Sequence, residues 1–309
     1  MRVLFAGSPE AALPSLQWLV DDGRDVCAVV TQPPRPVGRR GTITPTPVAT
    51  WALAHGLVVR TPASTAELRE VIAEVVPDIA LVVAYGRILE GSILEQVQGG
   101  WWNAHFSLLP RHRGAAPVQH ALLAGDTLTG ISVFRIVPEL DAGPIFGAVE
   151  QSIAPHDTAG TLLRKLAART PELFGPLLEQ SEAGPVSSTA QMGTPTLAPK
   201  LQRLDGFLDP SGPATELYRR YQATTPEPGA TLVRSDNGGV VKVLRMWPKF
   251  DIHALGAGEV QVFDNEVLAG CSPGAVVLDE VLPVGKRPMS GIEWYRGLPP
   301  GVRLGKPGR

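Results

Sequence analysis

The stretch at residues 77–86, PDIALVVAYG, has the clearest strand pattern in the chain, because apolar and largely β-branched residues run unbroken between a Pro-Asp pair and a glycine. A strand without polar alternation is typical of a sheet that is covered on both faces. The carboxyl end of this strand, at Tyr85 and Gly86, is therefore predicted to lie at the edge of the sheet where α/β proteins bind ligands.

Strand and helix patterns alternate from this stretch towards the amino terminus. Strands are predicted at residues 2–7, RVLFAG, and at residues 25–32, DVCAVVTQ. Between them, Ser8 is expected to cap a helix that has Pro9 in its first turn. The alternation predicts βαβ units.

Strand and helix patterns also alternate immediately before residues 77–86 and continue to alternate after them. Ser64 and Glu67 have the spacing of a capping box, which predicts a helix that runs to about Val76. Further elements are predicted as a helix around 47–54, a strand within GGWWNAHFSLL, a helix near 117–124, a strand at ISVFRIV and a helix from about 158 to 180. The fold class is thus predicted to be α/β, with a Rossmann-like, mostly parallel sheet and helices on both faces.

A change of composition divides the chain. Residues 181–200 are rich in Ser, Thr, Pro, Gly and Ala and show little apolar periodicity, which is typical of a linker. Residues 1–180 are therefore predicted to form one domain and residues 201–309 a second, small β-rich barrel or sandwich with short strands between Gly, Asp and Asn turns.

Composition excludes several classes of protein. The formal net charge of -2 lacks the strong positive field of a non-specific nucleic-acid binder, so any RNA contact must be local. Cys27 and Cys271 stand far apart, which argues against a disulfide framework or a zinc site and favours a reducing cytoplasm. No export signal or membrane-length apolar run is recognisable, so we expect no membrane partner.

Polar residues that could carry chemistry follow two of the predicted strands. Asn103 and His105 alternate along a strand and so project to the same side, and Asp141 follows a later strand. An amide and an imidazole can stabilise the oxyanion formed in acyl transfer to an amine, and a carboxylate can orient the imidazole or help remove protons. None of these roles needs a metal.

Each of the three residues also has an ordinary structural interpretation. A single histidine such as His105 is usually structural, Asn103 alone is as easily a turn former, and Asp141 before Ala-Gly is typical of a tight turn. Spacing alone does not distinguish the two interpretations.

Positive charge is concentrated in one segment of the first domain. Residues 26–66 contain no Asp or Glu, while Arg35, Arg39, Arg40 and Arg60 lie within them. Such local charge favours contacts with phosphates, although a solvated loop is the simpler interpretation of Arg35, Arg39 and Arg40 by themselves.

Five motifs follow one another along the chain: FAGSPE, TQPPRPVGRRG, VVAYG, NAHFSLLPRHRGAAPVQ and LDAGPI. In this order and at these separations they resemble the methionyl-tRNA formyltransferases, a family of folate-dependent formyltransferases. The resemblance covers most of the chain, is most specific over residues 1–145 and extends weakly to PVGKRPMS near the carboxyl end. Arg-x-Arg-Gly-Ala-Ala-Pro favours the members that modify tRNA over those that act on purine precursors.

The resemblance implies roles for residues at the matching positions. It makes Asn103, His105 and Asp141 the catalytic residues. It places Ser107, Leu108, Leu109 and Pro110 at the folate, with backbone contacts to the pterin from Val83, Ala84, Tyr85 and Gly86, and gives the loop at residues 33–44 with Arg35, Arg39 and Arg40 to tRNA.

The resemblance also implies substrates and a second domain. The formyl donor would be 10-formyltetrahydrofolate, without a metal, and the acceptor initiator methionyl-tRNA, with the protein expected to act as a monomer. The second domain would be an OB-like β-barrel that binds tRNA, where Lys242, Arg245 and Lys249 are candidates only.

Three positions depart from the family pattern. Phe106 stands where the family commonly has Gly, Pro34 where it usually has Asp, and His112 where an aromatic residue is usual. Two rivals stay open: a formyltransferase acting on a nucleotide-linked amino sugar, and a non-catalytic RNA-binding protein. No G-x-S-x-G or G-x-G-x-x-G motif supports a serine hydrolase or a dinucleotide site.

Overall fold

A computed structural model describes residues 1–38, 41–251 and 255–306. The chain forms two compact units. The first comprises Met1–Pro117, Leu128–Ser152 and Leu163–Pro199, and the second comprises Val118–Thr127, Ile153–Leu162 and Lys200–Arg309.

A mixed sheet organises the first unit and confirms the predicted α/β class. Its strands in the described residues are β1 (Arg2–Gly7), β2 (Asp25–Val30), β5 (Val59–Arg60), β6 (Ile79–Val83), β7 (Trp101–His105), β8 (Leu128–Arg135) and β9 (Ile145–Ser152). They lie in the order β5-β2-β1-β6-β7-β8-β9. Pairing is parallel from β5 to β7 and antiparallel from β7 to β9, so β7 is the strand at which direction changes.

Helices follow the strands as the alternation predicts. They are α1 (Leu13–Asp21), α2 (Pro47–Ala54), α3 (Thr65–Val75), α4 (Gly91–Leu94), α5 (Pro117–Ala124), α6 (Ala159–Arg169) and α7 (Pro171–Ala183). Helix α3 begins at the predicted cap, where the Ser64 hydroxyl accepts from the Glu67 amide at 3.1 Å. Its residues Leu68, Val71, Ile72 and Val75 recur on one face and pack in the same core as β1, β2 and β6.

The predicted cap at Ser8 is wrong. The Ser8 hydroxyl donates to the Tyr85 carbonyl at 2.9 Å and accepts from the Gln32 amide at 3.2 Å, so it joins the ends of three strands. A short 3-10 turn, Glu10–Ala12, follows Pro9 instead, and α1 begins after it without a side-chain cap.

The long helix expected near residues 158–180 is two helices. Helix α6 ends at Arg169 and α7 begins at Pro171, with Thr170 between them. A proline has no amide hydrogen to donate to the preceding turn, and its ring crowds the carbonyl of that turn. Pro171 therefore cannot continue α6 and instead occupies the first position of α7.

The segment predicted as a linker is hydrogen-bonded to the first unit. Thr189 exchanges two backbone hydrogen bonds with Ile145, at 2.8 and 2.9 Å. Ala198 donates to Arg113 at 2.7 Å, and Arg113 donates to Thr196 at 2.8 Å. The predicted linker up to Pro199 accordingly lies in the first unit, because its backbone N–H and C=O groups can pair even where few apolar side chains pack.

The second unit contains an antiparallel sheet, which confirms the predicted β-rich domain. Its described strands are β10 (Thr231–Arg234), β11 (Val240–Lys249), β12 (Val260–Phe263), β13 (Glu266–Gly270), β14 (Ala275–Pro283), β15 (Met289–Ser290) and β16 (Leu304–Gly305), with helices α8 (Ala214–Thr224) and α9 (Gly291–Tyr295). The order is β12-β13-β14-β11-β10-β16. Glu259 lies opposite Arg303, and Leu304 donates to Gly258 at 2.7 Å, so the two end strands of this order meet.

The basic loop forms a small hairpin where it is described. Strand β3 (Arg35–Val37) pairs with β4 (Thr42–Thr44), and both are exposed. The predicted tRNA contacts Arg39 and Arg40 lie outside the described residues. Among the helices that the structure describes, none is both long enough and apolar enough to cross a membrane.

Candidate active site

Strand β7 brings Asn103 and His105 to one side of the sheet at its carboxyl end. Asn103 pairs with Val82 of β6 and with Phe134 of β8, and His105 pairs with Ser132 of β8. Two neighbouring strands therefore fix the backbone at Asn103, and β8 fixes it at His105. The predicted strand that carries both residues is confirmed.

The His105 side chain is buried and held by a backbone carbonyl. Its exposed fraction is 6 %, and Nε2 lies 2.8 Å from the carbonyl oxygen of His112. A carbonyl only accepts hydrogen bonds, so Nε2 must carry the proton in this contact. In the neutral ring Nδ1 then has a free lone pair.

The free ring nitrogen of His105 faces a carboxylate. Nδ1 lies 3.7 Å from Oδ2 of Asp141, which is too long for a direct hydrogen bond and close enough for a strong electrostatic interaction. Burial lowers the pKa of His105 below its ordinary value, while the Asp141 charge and the His112 hydrogen bond oppose that shift. The ring is thus neutral at pH 7 and lies beside a charge that would stabilise its cation.

Asp141 adopts a left-handed backbone conformation, with φ of 46°. Its Oδ2 accepts a hydrogen bond from the Gly114 amide at 2.7 Å. Gly143, two residues later, is so close to Arg135 that a Cβ there would lie 1.7 Å from the Arg135 carbonyl oxygen. The Asp-Ala-Gly turn therefore needs its glycine to fit, and that fit aims the carboxylate at His105.

His112 also has a left-handed backbone, with φ of 58°. A left-handed conformation is unfavourable for a residue with a Cβ, and such residues concentrate at functional sites. In this case the conformation carries the carbonyl oxygen to Nε2 of His105. The departure from the family pattern at this position leaves that contact intact, because the contact is made by the backbone.

Asn103 is half-buried, and its side chain has no hydrogen-bond partner among the residues that the structure describes. Its amide can therefore donate to a ligand. The amide can stabilise a carbonyl oxygen that gains negative charge, and Nδ1 of His105, on the same side of β7, can accept the proton of an attacking amine.

The Ser107 hydroxyl is used within the protein. Ser107 is fully buried and donates to the Arg111 carbonyl at 2.6 Å. Leu109 and Pro110 are buried, and Leu108, half-buried, packs where a Cβ on Gly130 would lie 2.5 Å from its methyl group. These side chains shape the loop after β7, while Phe106 is itself buried with 6 % exposure.

The exposed residues at the end of β6 are small ones. Ala84 and Gly86 are exposed and have positive φ angles of 48° and 81°. Val83 and Tyr85 are buried, and the Tyr85 carbonyl already accepts from Ser8. The available polar groups at the end of β6 are thus those of the exposed residues.

Sequence reasoning missed Ser132 on β8. It is fully buried, donates to the Ser107 carbonyl at 2.8 Å and accepts from the Leu109 amide at 3.1 Å. A serine inside the apolar run ISVFRIV is the signal that could have revealed it, because a buried hydroxyl needs a partner.

Three basic residues that were predicted as possible tRNA contacts form contacts within the protein. Arg35 donates to the Gln32 side chain at 2.7 Å. In the second unit Arg245 forms an ion pair with Asp279, and Lys249 forms one with Glu266. In the described residues, no group of three His, Cys, Asp or Glu side chains could hold a metal ion.

Known families match both parts of the chain. Residues 1–176 match the family described as formyl transferase, and residues 200–299 match formyl transferase, C-terminal domain. The methionyl-tRNA formyltransferase of Paenarthrobacter aurescens (strain TC1) is 43 % identical over 299 residues, covering 96 % of this chain and 97 % of the relative.

Solved structures share the fold at low identity. HypX from Aquifex aeolicus in complex with tetrahydrofolic acid has a TM-score of 0.68 and 17 % identity, covering 95 % of this chain and 46 % of that chain. Methionyl-tRNA formyltransferase from Clostridium thermocellum has a TM-score of 0.59 and 14 % identity, covering 92 % and 99 %. The chain therefore belongs to the formyl transferase family, and within it to the methionyl-tRNA formyltransferases.

Proposed function

We propose that this protein transfers the formyl group of 10-formyltetrahydrofolate to the α-amino group of methionine on initiator methionyl-tRNA, a reaction that supports the initiation of translation. The observation that carries the proposal is the arrangement at the end of β7. A neutral His105 presents Nδ1 beside the Asp141 carboxylate, and Asn103 presents a side-chain amide on the same side of the strand.

The residues at this site can perform each step. The amine nitrogen attacks the formyl carbon, the carbonyl electron pair moves to oxygen, and the Asn103 amide donates to that oxyanion. The proton of the attacking nitrogen passes to Nδ1 of His105, directly or through a water held by Asp141. The resulting imidazolium stabilises the oxyanion and is itself stabilised by the carboxylate.

Collapse of the tetrahedral intermediate completes the transfer. The electron pair on oxygen re-forms the carbonyl, and the bond between the formyl carbon and N10 of the folate breaks. The proton held at Nδ1 of His105 moves to N10, so the imidazole returns to its neutral form. His105 therefore serves as base and then as acid within one cycle.

The donor site is proposed at the ends of β6 and β7. Exposed backbone at Ala84 and Gly86 would bind the pterin, with Val83 and Tyr85 buried behind it. Ser107, Leu108, Leu109 and Pro110 would shape the wall through the fixed loop described above. The fold shared with a protein solved with tetrahydrofolic acid supports a folate donor.

The acceptor is proposed from charge and from the relatives. The hairpin of β3 and β4 lies in the segment without Asp or Glu, where Arg35, Arg39 and Arg40 would contact phosphates. The second domain would bind tRNA as an OB-like barrel. Arg245 and Lys249 form ion pairs with Asp279 and Glu266, so each would exchange a carboxylate for a phosphate on contacting tRNA. We propose a cytoplasmic monomer.

A formyl-transfer assay tests the proposal. Purified protein with 10-formyltetrahydrofolate is given charged initiator tRNA, charged elongator tRNA or a nucleotide-linked amino sugar. We expect formylation of the initiator tRNA far above the other two. Preferred formylation of the amino sugar, or RNA binding without any folate-dependent turnover, would overturn it.

The basic loop has its own arm in that assay. Replacing Arg39 and Arg40 together with Ala removes two positive charges and should lower the salt dependence of tRNA use, because about two fewer phosphate counterions are released on binding. Equal kinetics of variant and wild type at low and moderate salt would remove the loop from the tRNA site.

A further inference from the structure

The predicted linker, residues 181–200, contacts the two backbone segments that hold His105 and Asp141 in place. Two polar side chains of this segment make the contacts. The Gln191 side chain binds the turn that carries Asp141, and the Thr196 side chain binds the amide of His112. We propose that Gln191 and Thr196 are positioning residues for the transfer reaction, although neither faces the reacting atoms.

Gln191 uses both ends of its side-chain amide. Its Nε2 donates to the carbonyl oxygens of Asp141, at 2.7 Å, and Gly143, at 2.9 Å. Its Oε1 accepts from Arg113 twice, from Nη2 at 2.7 Å and from Nε at 3.2 Å. One side chain therefore connects the Asp-Ala-Gly turn to the loop after β7, with both of its amide hydrogens bonded.

Thr196 supports the other side of the histidine. Its Oγ1 accepts from the His112 amide at 2.8 Å, and its backbone carbonyl accepts from Arg113 at 2.8 Å. These contacts hold His112 in its left-handed conformation, in which the His112 carbonyl accepts from Nε2 of His105. Thr196 thus acts on the tautomer of His105 through one intervening residue.

The consequence is a fixed distance between imidazole and carboxylate. The separation of 3.7 Å depends on the Asp141 turn and on the orientation of His105, and the two positioning residues each fix one of these. Small displacements of reacting groups cost rate rather than affinity, because the aligned geometry is needed in the transition state. A residue that merely tied down the segment would change stability alone.

The first test separates rate from binding at Gln191. Gln191→Ala should lower kcat by roughly ten- to a hundredfold, with the KM for both substrates within about twofold, because the site is loosened and not blocked. Gln191→Glu keeps an acceptor for Arg113 and cannot donate to the two carbonyls, so it should be equally impaired. The neighbouring Met192→Ala, at a side chain 83 % exposed, is the matched control and should retain wild-type kcat.

Two results at Gln191 would overturn the proposal. One is a wild-type kcat for Gln191→Ala or Gln191→Glu. The other is a loss of activity that follows the loss of folded protein in a thermal melt, since that is the behaviour of a purely structural contact.

The second test measures the tautomer of the His105 imidazole in the protein without substrates. Nitrogen-15 NMR should find the Nε2-protonated tautomer in wild type, a mixture of tautomers in Thr196→Val, and recovery of the single tautomer in Thr196→Ser. Thr194→Val, an exposed neighbour, is the control. An unchanged tautomer and kcat in Thr196→Val would overturn the role of Thr196.

This inference rests on the proposed function, and the two can fail separately. If wild-type protein formylates no acceptor, the proposed function fails, whereas the NMR result still decides whether Thr196 fixes the tautomer. If wild type formylates tRNA and all the variants do so equally well, the positioning roles fail and the proposed function stands.

Discussion

The end of β7 and the antiparallel sheet of the second unit each place a basic side chain beside an aspartate, in opposite surroundings. At β7 the side chains of His105 and Asp141 are 6 % and 16 % exposed and are aligned by backbone hydrogen bonds. On β11 the side chain of Arg245 is 65 % exposed and meets Asp279 at the surface. Burial and fixed geometry, rather than residue type, distinguish a site that can carry chemistry from a solvated face.

A pair of histidine variants gives the largest expected difference between these regions. His105→Gln should lower kcat by roughly 100-fold or more, the scale of a lost acid-base group, because glutamine cannot take up a proton. His156→Gln in the second unit should change kcat little, since the His156 side chain is exposed and its Nδ1 lies 2.9 Å from the Tyr218 hydroxyl within that unit. Steady-state formyl transfer gives kcat for both variants. Equal losses would contradict the claim that His105, and not His156, takes part in the reaction.

The second unit should show its importance in stability instead. Leu232 on β10 is 1 % exposed within an apolar core, so Leu232→Ala should lower the free energy of unfolding by about 2–5 kcal/mol through lost burial and a cavity. Leu204→Ala, at a side chain 75 % exposed, is the control. Denaturant unfolding measures both variants, and equal stabilities would show that this core contributes little.

The buried histidine should make stability depend on pH in a defined direction. Because burial lowers the folded-state pKa of His105 below the unfolded value near 6.5, the unfolded state binds more protons between the two values. The His105 contribution is complete above about pH 6.5 and is lost as pH falls through that window. Unfolding curves from pH 8 to 5 should therefore fall less steeply for His105→Gln than for wild type, and parallel curves would contradict this.

The smallest effect is expected at the surface ion pair. Arg245→Ala should move the melting temperature by less than about 2 °C, because an exposed pair gains little over its hydrated partners. Differential scanning calorimetry measures the melting temperature. A much larger shift would mean that the Arg245–Asp279 pair contributes substantially to stability.

The elements that could be predicted are those whose signal is local. The period of two along β7 was enough to place Asn103 and His105 together, and the capping box at Ser64 marked the start of α3. Pro171 also carries a local signal for the break between α6 and α7, since a proline inside a helical pattern ends or kinks the helix.

The parts that could not be predicted depend on partners distant in sequence. Ser8 was expected to cap a helix, yet its partner is the Tyr85 carbonyl, 77 residues away. Gln191 donates to backbone carbonyls, and because every residue has a carbonyl, no sequence pattern identifies these partners. Its segment therefore has only the composition of a linker. The left-handed backbones of Asp141 and His112 follow from such contacts and are equally invisible in the sequence.

The central claim is that the polar groups at the end of β7 stabilise the transition state of formyl transfer. A single-turnover measurement of Asn103→Ala, with both substrates saturating, tests it most directly. The account predicts a rate roughly 100-fold or more below wild type, with folate affinity within about twofold, because the amide acts on the oxyanion and not on the ground state. A rate close to wild type at equal folate affinity would contradict it.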